Sequence, residues 1–169
     1  REFFFLPFQD LSLGTSHVFH QHAGNIIRHP EAQLKYIVEP RIEHAQAWVK
    51  ENELEGQVTV VGPEDTEKVL TDPEVQAAMV ASLTSTHEEI IRACFKHNKP
   101  VFSEKPIAAT VEATVAVCDL STSTGVPLLC GFNRRSDAQF IELKNSLSSV
   151  GRLLSVSSIS YDYPTNCPI

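Results

Sequence analysis

The sequence predicts an α/β fold built on a doubly wound parallel sheet, and two observations lead to this prediction. From about residue 30 onward, short apolar β-like runs alternate with amphipathic helical stretches. This alternation is typical of a parallel sheet that is covered by helices on both faces. The polar motifs of the chain fall where the predicted strands end, and sheets of this kind bind ligands beyond the carboxyl ends of their strands.

The first half of the chain has the patterns of three strands and two helices. The predicted elements are a strand over residues 33–38, a helix over 42–54, a strand over 58–61, a short helix over 66–70 and a buried strand over 77–81. Ile42, Ala45, Trp48 and Val49 recur at helical spacing. The helix over 42–54 is therefore predicted to bury the face that carries these four residues.

The second half continues the alternation. Thr86 and Glu89 have the S/T-x-x-E spacing of a capping box, which predicts that a helix begins there. Val111, Val115 and Cys118 are expected on the inner face of the following helix. The remaining predicted elements are strands over residues 99–103 and 126–130, helices over 110–122 and 136–147, a helix terminator at Gly125 and a half-exposed strand over 153–161.

Composition limits the classes of partner. The chain has 169 residues, of which 42% are hydrophobic and 21% charged, and this is enough for one soluble domain with its own core. Its formal net charge is -7 and no run of Lys or Arg is present. A phosphate backbone would therefore be repelled on average, so nucleic acid is not expected as a partner.

The cysteines and the first residues indicate a cytoplasmic protein. Cys94, Cys118, Cys130 and Cys167 form no C-x-x-C pair, which favours buried free thiols in a reducing compartment. Residues 1–8 are apolar, but Pro7 interrupts the run, which is too short for a signal or a membrane span. We expect no membrane association, and a second copy or a protein partner as cover for this apolar segment.

Three polar motifs follow predicted strands, and together they resemble a known family. Glu104-Lys105-Pro106 follows the strand over 99–103, Gly131-Phe-Asn-Arg-Arg135 follows the strand over 126–130, and Ser82-Leu-Thr-Ser-Thr-His87 follows an earlier strand. The three motifs resemble those of the Gfo/Idh/MocA oxidoreductases, in particular inositol 2-dehydrogenases. The resemblance implies a Rossmann-like domain that binds NAD, and a polyol or sugar as the substrate.

The resemblance runs from about His22 to Pro164 and covers only the first half or so of such an enzyme. It implies three parts: an atypical segment over residues 1–20 in place of the first strand and glycine loop, a Rossmann-like domain over 21–135, and the helix and first strand of a truncated second α/β domain over 136–169. Family members carry a D-x-x-x-H general base after that strand, and no such pair follows Tyr161.

The glycine motif departs from the family pattern. Alignment on His22 places G-x-G-x-x-G at residues 14–19, where Gly14 remains but Ser16 and Phe19 replace the other glycines. Phe19 is expected to push the helix away from the first strand, which is expected at about residues 8–13. Either the N-terminus has been replaced or dinucleotide binding has been lost on a retained scaffold, so NAD binding is expected to be weakened.

Glu39 follows the strand over 33–38, about twenty residues beyond the glycine motif. A carboxylate at this place accepts hydrogen bonds from the adenosine ribose and repels a 2′-phosphate, which favours NAD over NADP. Arg41 could relieve that repulsion, so NADP is the alternative cofactor. The other interpretation is a solvated, charged turn between strand and helix.

The remaining motifs receive roles by resemblance. Lys105 is expected to contact the substrate hydroxyl as a catalytic residue, with Pro106 in a turn that a cis Lys105–Pro106 bond could form. A surface Glu-Lys pair is the alternative. The expected substrate contacts are Asn133, Arg134 and Arg135, and the expected cofactor contacts are Gly14, Ser16, Glu39, Ser82, Thr84, His87 and Glu104. The alternatives are a solvated helix start at residues 133–135, a helix cap at residues 84–86 and an exposed first-turn His87.

Two functions follow from these observations. The first is an NAD(P)-dependent dehydrogenase of the inositol or sugar type, incomplete or catalytically impaired without the D-x-x-x-H base. The alternative is a non-catalytic Rossmann-like scaffold that serves in protein interaction or as a structural protein. His17, His20 and His22 cluster, but the histidines form no H-x-x-x-H or H-E-x-x-H pair, so we expect no metal site.

Overall fold

Parallel strands form one sheet in the computed structural model, which describes residues 2–6 and 17–159. The strands are β1 (Glu2–Leu6), β2 (Gln33–Val38), β3 (Thr59–Val61), β4 (Val75–Val80), β5 (Val101–Ser103) and β6 (Leu128–Cys130). Their order in the sheet is β3-β2-β1-β4-β5-β6, and each neighbouring pair is parallel. The predicted α/β fold is confirmed.

The helices within the described residues are α1 (His17–Arg28), α2 (Ile42–Glu51), α3 (Thr66–Thr71), α4 (Thr84–Lys96), α5 (Val111–Thr124) and α6 (Ala138–Ser146), with short 3-10 turns at Pro63–Asp65, Asn133–Ser136 and Leu147–Ser149. The helices α2 to α6 begin within about two residues of their predicted positions. None of the helices within the described ranges is both long and apolar enough to cross a membrane.

The first strand lies earlier in the chain than expected. β1 occupies Glu2–Leu6 and pairs with β2 on one side and β4 on the other, at the centre of the sheet. A central parallel strand is apolar along its length, and Phe3-Phe-Phe-Leu6 has that composition whereas residues 8–13 do not. The N-terminal apolar run is thus used within the sheet. Residues 7–16, which include the expected strand and the first three positions of the glycine motif, lie outside the described residues.

Strand order reverses between β1 and β4, because β2 and β3 extend the sheet on one side and β5 and β6 on the other. Such a switch point opens a crevice at the carboxyl ends of the two strands, where open α/β sheets bind their ligands.

On one face, α1 and α2 share a core with Phe19 at its centre. Phe19 is fully buried, and its ring lies 4.9 Å from that of Trp48 in an edge-to-face arrangement. Phe19 was expected to push α1 away from the first strand; in the structure its ring packs in the core between the two helices. An aromatic pair of this geometry contributes about 0.5–1.5 kcal/mol beyond the area it buries.

On the other face, α3, α4 and α5 cover the sheet, and two helix predictions need correction. In α5 the buried residue is Val117, whereas Val111, Val115 and Cys118 are exposed, because the inward stripe has a different phase. The capping box does not form: α4 begins two residues before Thr86, with Leu83 at the N-cap and no side-chain cap.

The structure tests the predicted burial of the cysteines and the predicted end of a helix at Gly125. Cys94 and Cys118 are free thiols; Cys94 is buried as predicted, whereas Cys118 is exposed, contrary to prediction, and Cys130 is partly buried. Cys167 lies outside the described residues. Gly125 ends α5 in the left-handed conformation, with φ of 72°, which confirms the predicted terminator.

The chain divides into two compact units, Arg1–Phe132 and Asn133–Ile169. The first contains the sheet and α1 to α5. The second contains α6, whose N-cap Asp137 accepts hydrogen bonds from the N–H groups of Gln139 and Phe140. The half-exposed strand predicted over 153–161 does not form within residues 153–159, which are neither strand nor helix, and its last two residues lie outside the described range.

Candidate functional site at the carboxyl edge of the sheet

The loop after β5 carries Glu104, Lys105 and Pro106. The backbone N–H of Glu104 donates to Val80 O at 2.8 Å and so ties the loop to the end of β4. The Lys105–Pro106 bond is cis, as predicted. Lys105 is exposed at this edge, where an ammonium can meet a substrate oxygen.

A histidine from α1 reaches the same loop. His22 Nε2 lies 2.7 Å from Glu104 Oε1, and each side chain is about four-fifths buried, with 20% and 19% exposed. The other oxygen, Oε2, accepts from the N–H of Lys105 at 3.2 Å. The contact was not predicted from the sequence, where His22 serves only to align the glycine motif; the available signal is a histidine one turn beyond that motif.

His87 joins the loops after β4 and β5. It is 1% exposed, with Nδ1 2.7 Å from Pro106 O and Nε2 2.9 Å from Ser82 O. The alternative interpretation as an exposed first-turn residue is therefore wrong. Since a neutral imidazole carries one N–H, it donates to one of these carbonyls, and only the doubly protonated ring donates to both. The cofactor contact predicted for His87 stays a prediction.

The start of α4 is held by hydroxyl groups. Ser82 is buried, and Thr86 Oγ1 lies 2.7 Å from Ser82 Oγ and 2.8 Å from Leu83 O. Thr84, the first residue of α4, is partly buried. The cofactor contacts predicted for Ser82 and Thr84 are not tested by this geometry.

Glu39 is fully buried at the end of β2. Its Oε1 accepts from the backbone N–H of Arg41 at 2.9 Å, and Arg41 Nε lies 3.7 Å from the same oxygen. Among the described residues, Oε2 has no hydrogen-bond partner. A buried carboxylate oxygen without a donor costs free energy, so this atom fits a ligand that brings a hydroxyl donor. The interpretation of Glu39 as a solvated turn residue is wrong.

A groove of about 530 Å³ lies beside Glu39, between α3 and α4. Val38, Leu70, Ile90 and Ala93 give it an apolar part. Its polar and turn residues are Pro40, Pro63, Glu64, Thr66, Glu67, Ser82, Leu83, Thr86 and Glu89. The volume lies in the range of small-molecule sites, and an apolar slot with few polar groups suits a flat heterocycle.

The site residues predicted at the start of the second unit are exposed. Asn133, Arg134 and Arg135 form a 3-10 turn, and the Arg134 guanidinium lies 5.1 Å from the ring centroid of Phe140. Gly14 and Ser16 lie outside the described residues. Across the described part of the chain, no group of three or more His, Cys, Asp or Glu side chains could hold a metal ion.

Comparisons with known proteins identify a family profile and several proteins that are similar to this chain. The profile described as "Oxidoreductase family, NAD-binding Rossmann fold" matches residues 11–132. Inositol 2-dehydrogenase 2 of Saccharopolyspora erythraea is 41% identical over 105 residues, which are 59% of this chain and 31% of that protein. Myo-inositol 2-dehydrogenase of Thermotoga maritima is 32% identical over 117 residues, 67% of this chain and 35% of that protein.

A solved structure has the same fold. It is described as a probable dehydrogenase from Thermotoga maritima, is 27% identical, and superposes with a TM-score of 0.72 over 88% of this chain and 41% of its own. The chain spans about a third of the length of the curated relatives it matches.

Proposed function

Because the chain belongs to the Gfo/Idh/MocA oxidoreductase family, we propose that it forms the NAD-binding part of a dehydrogenase that acts on a polyol or sugar. The relatives named inositol 2-dehydrogenases support a cyclic polyol as the substrate class. NAD, when bound, supplies the hydride acceptor for oxidation of a secondary alcohol.

Glu39 carries the proposal. Its Oε2 is buried without a partner among the described residues, at the end of β2, where a ribose hydroxyl would supply the missing donor. The carboxylate would repel a 2′-phosphate, so NAD is preferred over NADP. The adenine ring would bind in the groove between α3 and α4, against the apolar side chains of Val38 and Leu70.

Lys105 would act on the substrate oxygen. An ammonium beside the hydroxyl stabilises the negative charge that develops as the proton leaves. Asn133, Arg134 and Arg135 would hold the other hydroxyl groups of the substrate. With two family glycines replaced, NAD binding should be weaker than in family members with a complete motif.

Calorimetric titration with NAD and NADP tests the proposal. We expect NAD to bind at least about tenfold more tightly than NADP. Glu39→Ala should weaken NAD binding and lower the ratio between the NADP and NAD dissociation constants. Glu43→Ala, which removes an exposed carboxylate on α2, is the matched control and should change neither the NAD nor the NADP dissociation constant. A folded protein that binds no NAD at millimolar concentration would overturn the proposal and favour the interaction scaffold.

We place the protein in the cytoplasm. The free thiols of Cys94 and Cys118 support this assignment, because an exposed unpaired thiol such as that of Cys118 persists in a reducing compartment. Light scattering after size exclusion tests whether a second copy is bound.

A further inference from the structure

We propose that His22 is a positioning residue that fixes the backbone of Lys105 through the carboxylate of Glu104. The inference rests on the proposed role of Lys105 at the substrate oxygen. It concerns a contact between α1, the helix that follows the glycine motif, and the loop after β5 that carries the lysine.

One carboxylate makes both connections. Glu104 Oε1 lies 2.7 Å from His22 Nε2, and Oε2 accepts from the Lys105 N–H at 3.2 Å. A rotation of the Glu104 side chain would break both contacts at once. Since hydrogen bonds to ionised carboxylates are stronger than those between neutral groups, the imidazole is well suited to hold the carboxylate in place.

Two neighbouring residues pack against this contact. The ring of His22 lies edge-on to Phe102, with centroids 5.3 Å apart. A Cβ atom on Gly131, the residue after β6, would lie 3.0 Å from Glu104 Oε1 and 3.3 Å from Phe102 Cζ. Such separations are tighter than ordinary van der Waals contact, so the absence of a side chain at Gly131 makes room for the carboxylate.

The contact has a consequence for the site. α1 follows the segment that would carry the pyrophosphate, and the loop after β5 carries Lys105. His22 and Glu104 therefore connect the cofactor side of the crevice to the substrate side by two hydrogen bonds.

Amide hydrogen exchange, resolved by residue with NMR, tests the inference. His22→Leu removes the donor, and Glu104 can then turn toward solvent. We expect the Lys105 amide to exchange roughly tenfold faster, because it loses its carboxylate acceptor. The adjacent Glu104 amide donates to the Val80 carbonyl and should keep its rate, which distinguishes loss of the contact from general loosening of the sheet.

Two further variants complete the experiment. His22→Gln places an amide nitrogen near the position of Nε2 and should restore slow exchange at Lys105. His44→Leu makes the same change at an exposed position on α2 and should leave Lys105 exchange unaltered. An unchanged Lys105 rate in His22→Leu, or a failure of His22→Gln to restore it, would overturn the inference. These rates are measured without cofactor, so they remain informative if NAD does not bind.

Discussion

The imidazole of His87 lies 2.7 Å from the carbonyl oxygen of Pro106, and it thereby joins the first turn of α4 to the loop that carries Lys105. The second ring nitrogen meets Ser82 O at 2.9 Å. One buried side chain thus lies between two carbonyls in the segments that follow the neighbouring strands β4 and β5. The shape of the candidate site depends on it even though the ring is shielded from solvent.

His87→Phe is expected to destabilise the protein by about 1–3 kcal/mol, because the phenyl ring fills the space but cannot donate the N–H that the imidazole supplies to one of the two carbonyls. Urea denaturation measures the change. His44→Phe on the surface of α2 should shift the free energy of unfolding by no more than about 0.5 kcal/mol. A loss below about 1 kcal/mol in His87→Phe would show that the carbonyls do not depend on the imidazole.

Phe19→Ala is expected to cost about 3–5 kcal/mol, because it opens a cavity against Trp48 between α1 and α2. Thermal and urea denaturation measure the loss. Val111→Ala removes an apolar group that is 74% exposed, so it should have little effect. Equal stability of the two variants would contradict the packing of Phe19 in this core.

Asp72 is expected to contribute to acid denaturation. The Glu74 N–H, with Tyr36 and Lys35, holds the pKa of Asp72 below its usual 3.8, against an opposing effect of burial. A carboxyl whose folded pKa is lowered stabilises the protein above the unfolded value, and that contribution is lost as pH falls through the folded value. Asp72→Asn should therefore lower stability at neutral pH and flatten its decline below pH 3.8.

Stability against pH, followed by urea denaturation, checks the role of Asp72. Asp119→Asn, on the exposed side of α5, is the matched control and should leave the acid limb of the curve unchanged. An acid limb of the same slope in Asp72→Asn and the parent chain would exclude this carboxyl as a source of the pH dependence.

The thiols of Cys94 and Cys118 should differ sharply in reactivity. Burial raises the pKa of Cys94 to about 12, so little thiolate forms, whereas Cys118 is exposed on α5. In mildly alkaline buffer, iodoacetamide should modify Cys118 readily and spare Cys94 until the protein is unfolded. Peptide mass spectrometry assigns the modified positions. Early alkylation of Cys94 in the native protein would contradict its burial.

Local patterns predicted much of the sheet. β2 has the predicted bounds, and Ala45, Trp48 and Val49 of the predicted stripe are buried in α2, whereas its first member, Ile42, is partly buried. The predictions of the position of the first strand and of the buried face of α5 were wrong, because the sequence there offered more than one apolar pattern. The segment at 8–13 was chosen by alignment, although the run at Glu2–Leu6 has the composition of a central strand. In α5 the apolar residues occur on several sides, so periodicity alone did not identify Val117 as the buried one.

The amino-acid sequence by itself determined the alternation of strands and helices, the family and the three motifs at strand ends, because these depend on residues near one another in the chain. Tertiary structure alone decided the partners of those motifs. His22 and Glu104 are 82 positions apart, and His87 and Pro106 are 19 apart. Such contacts exist only because parallel strands bring their carboxyl ends to one edge, and no local pattern records which side chains meet there.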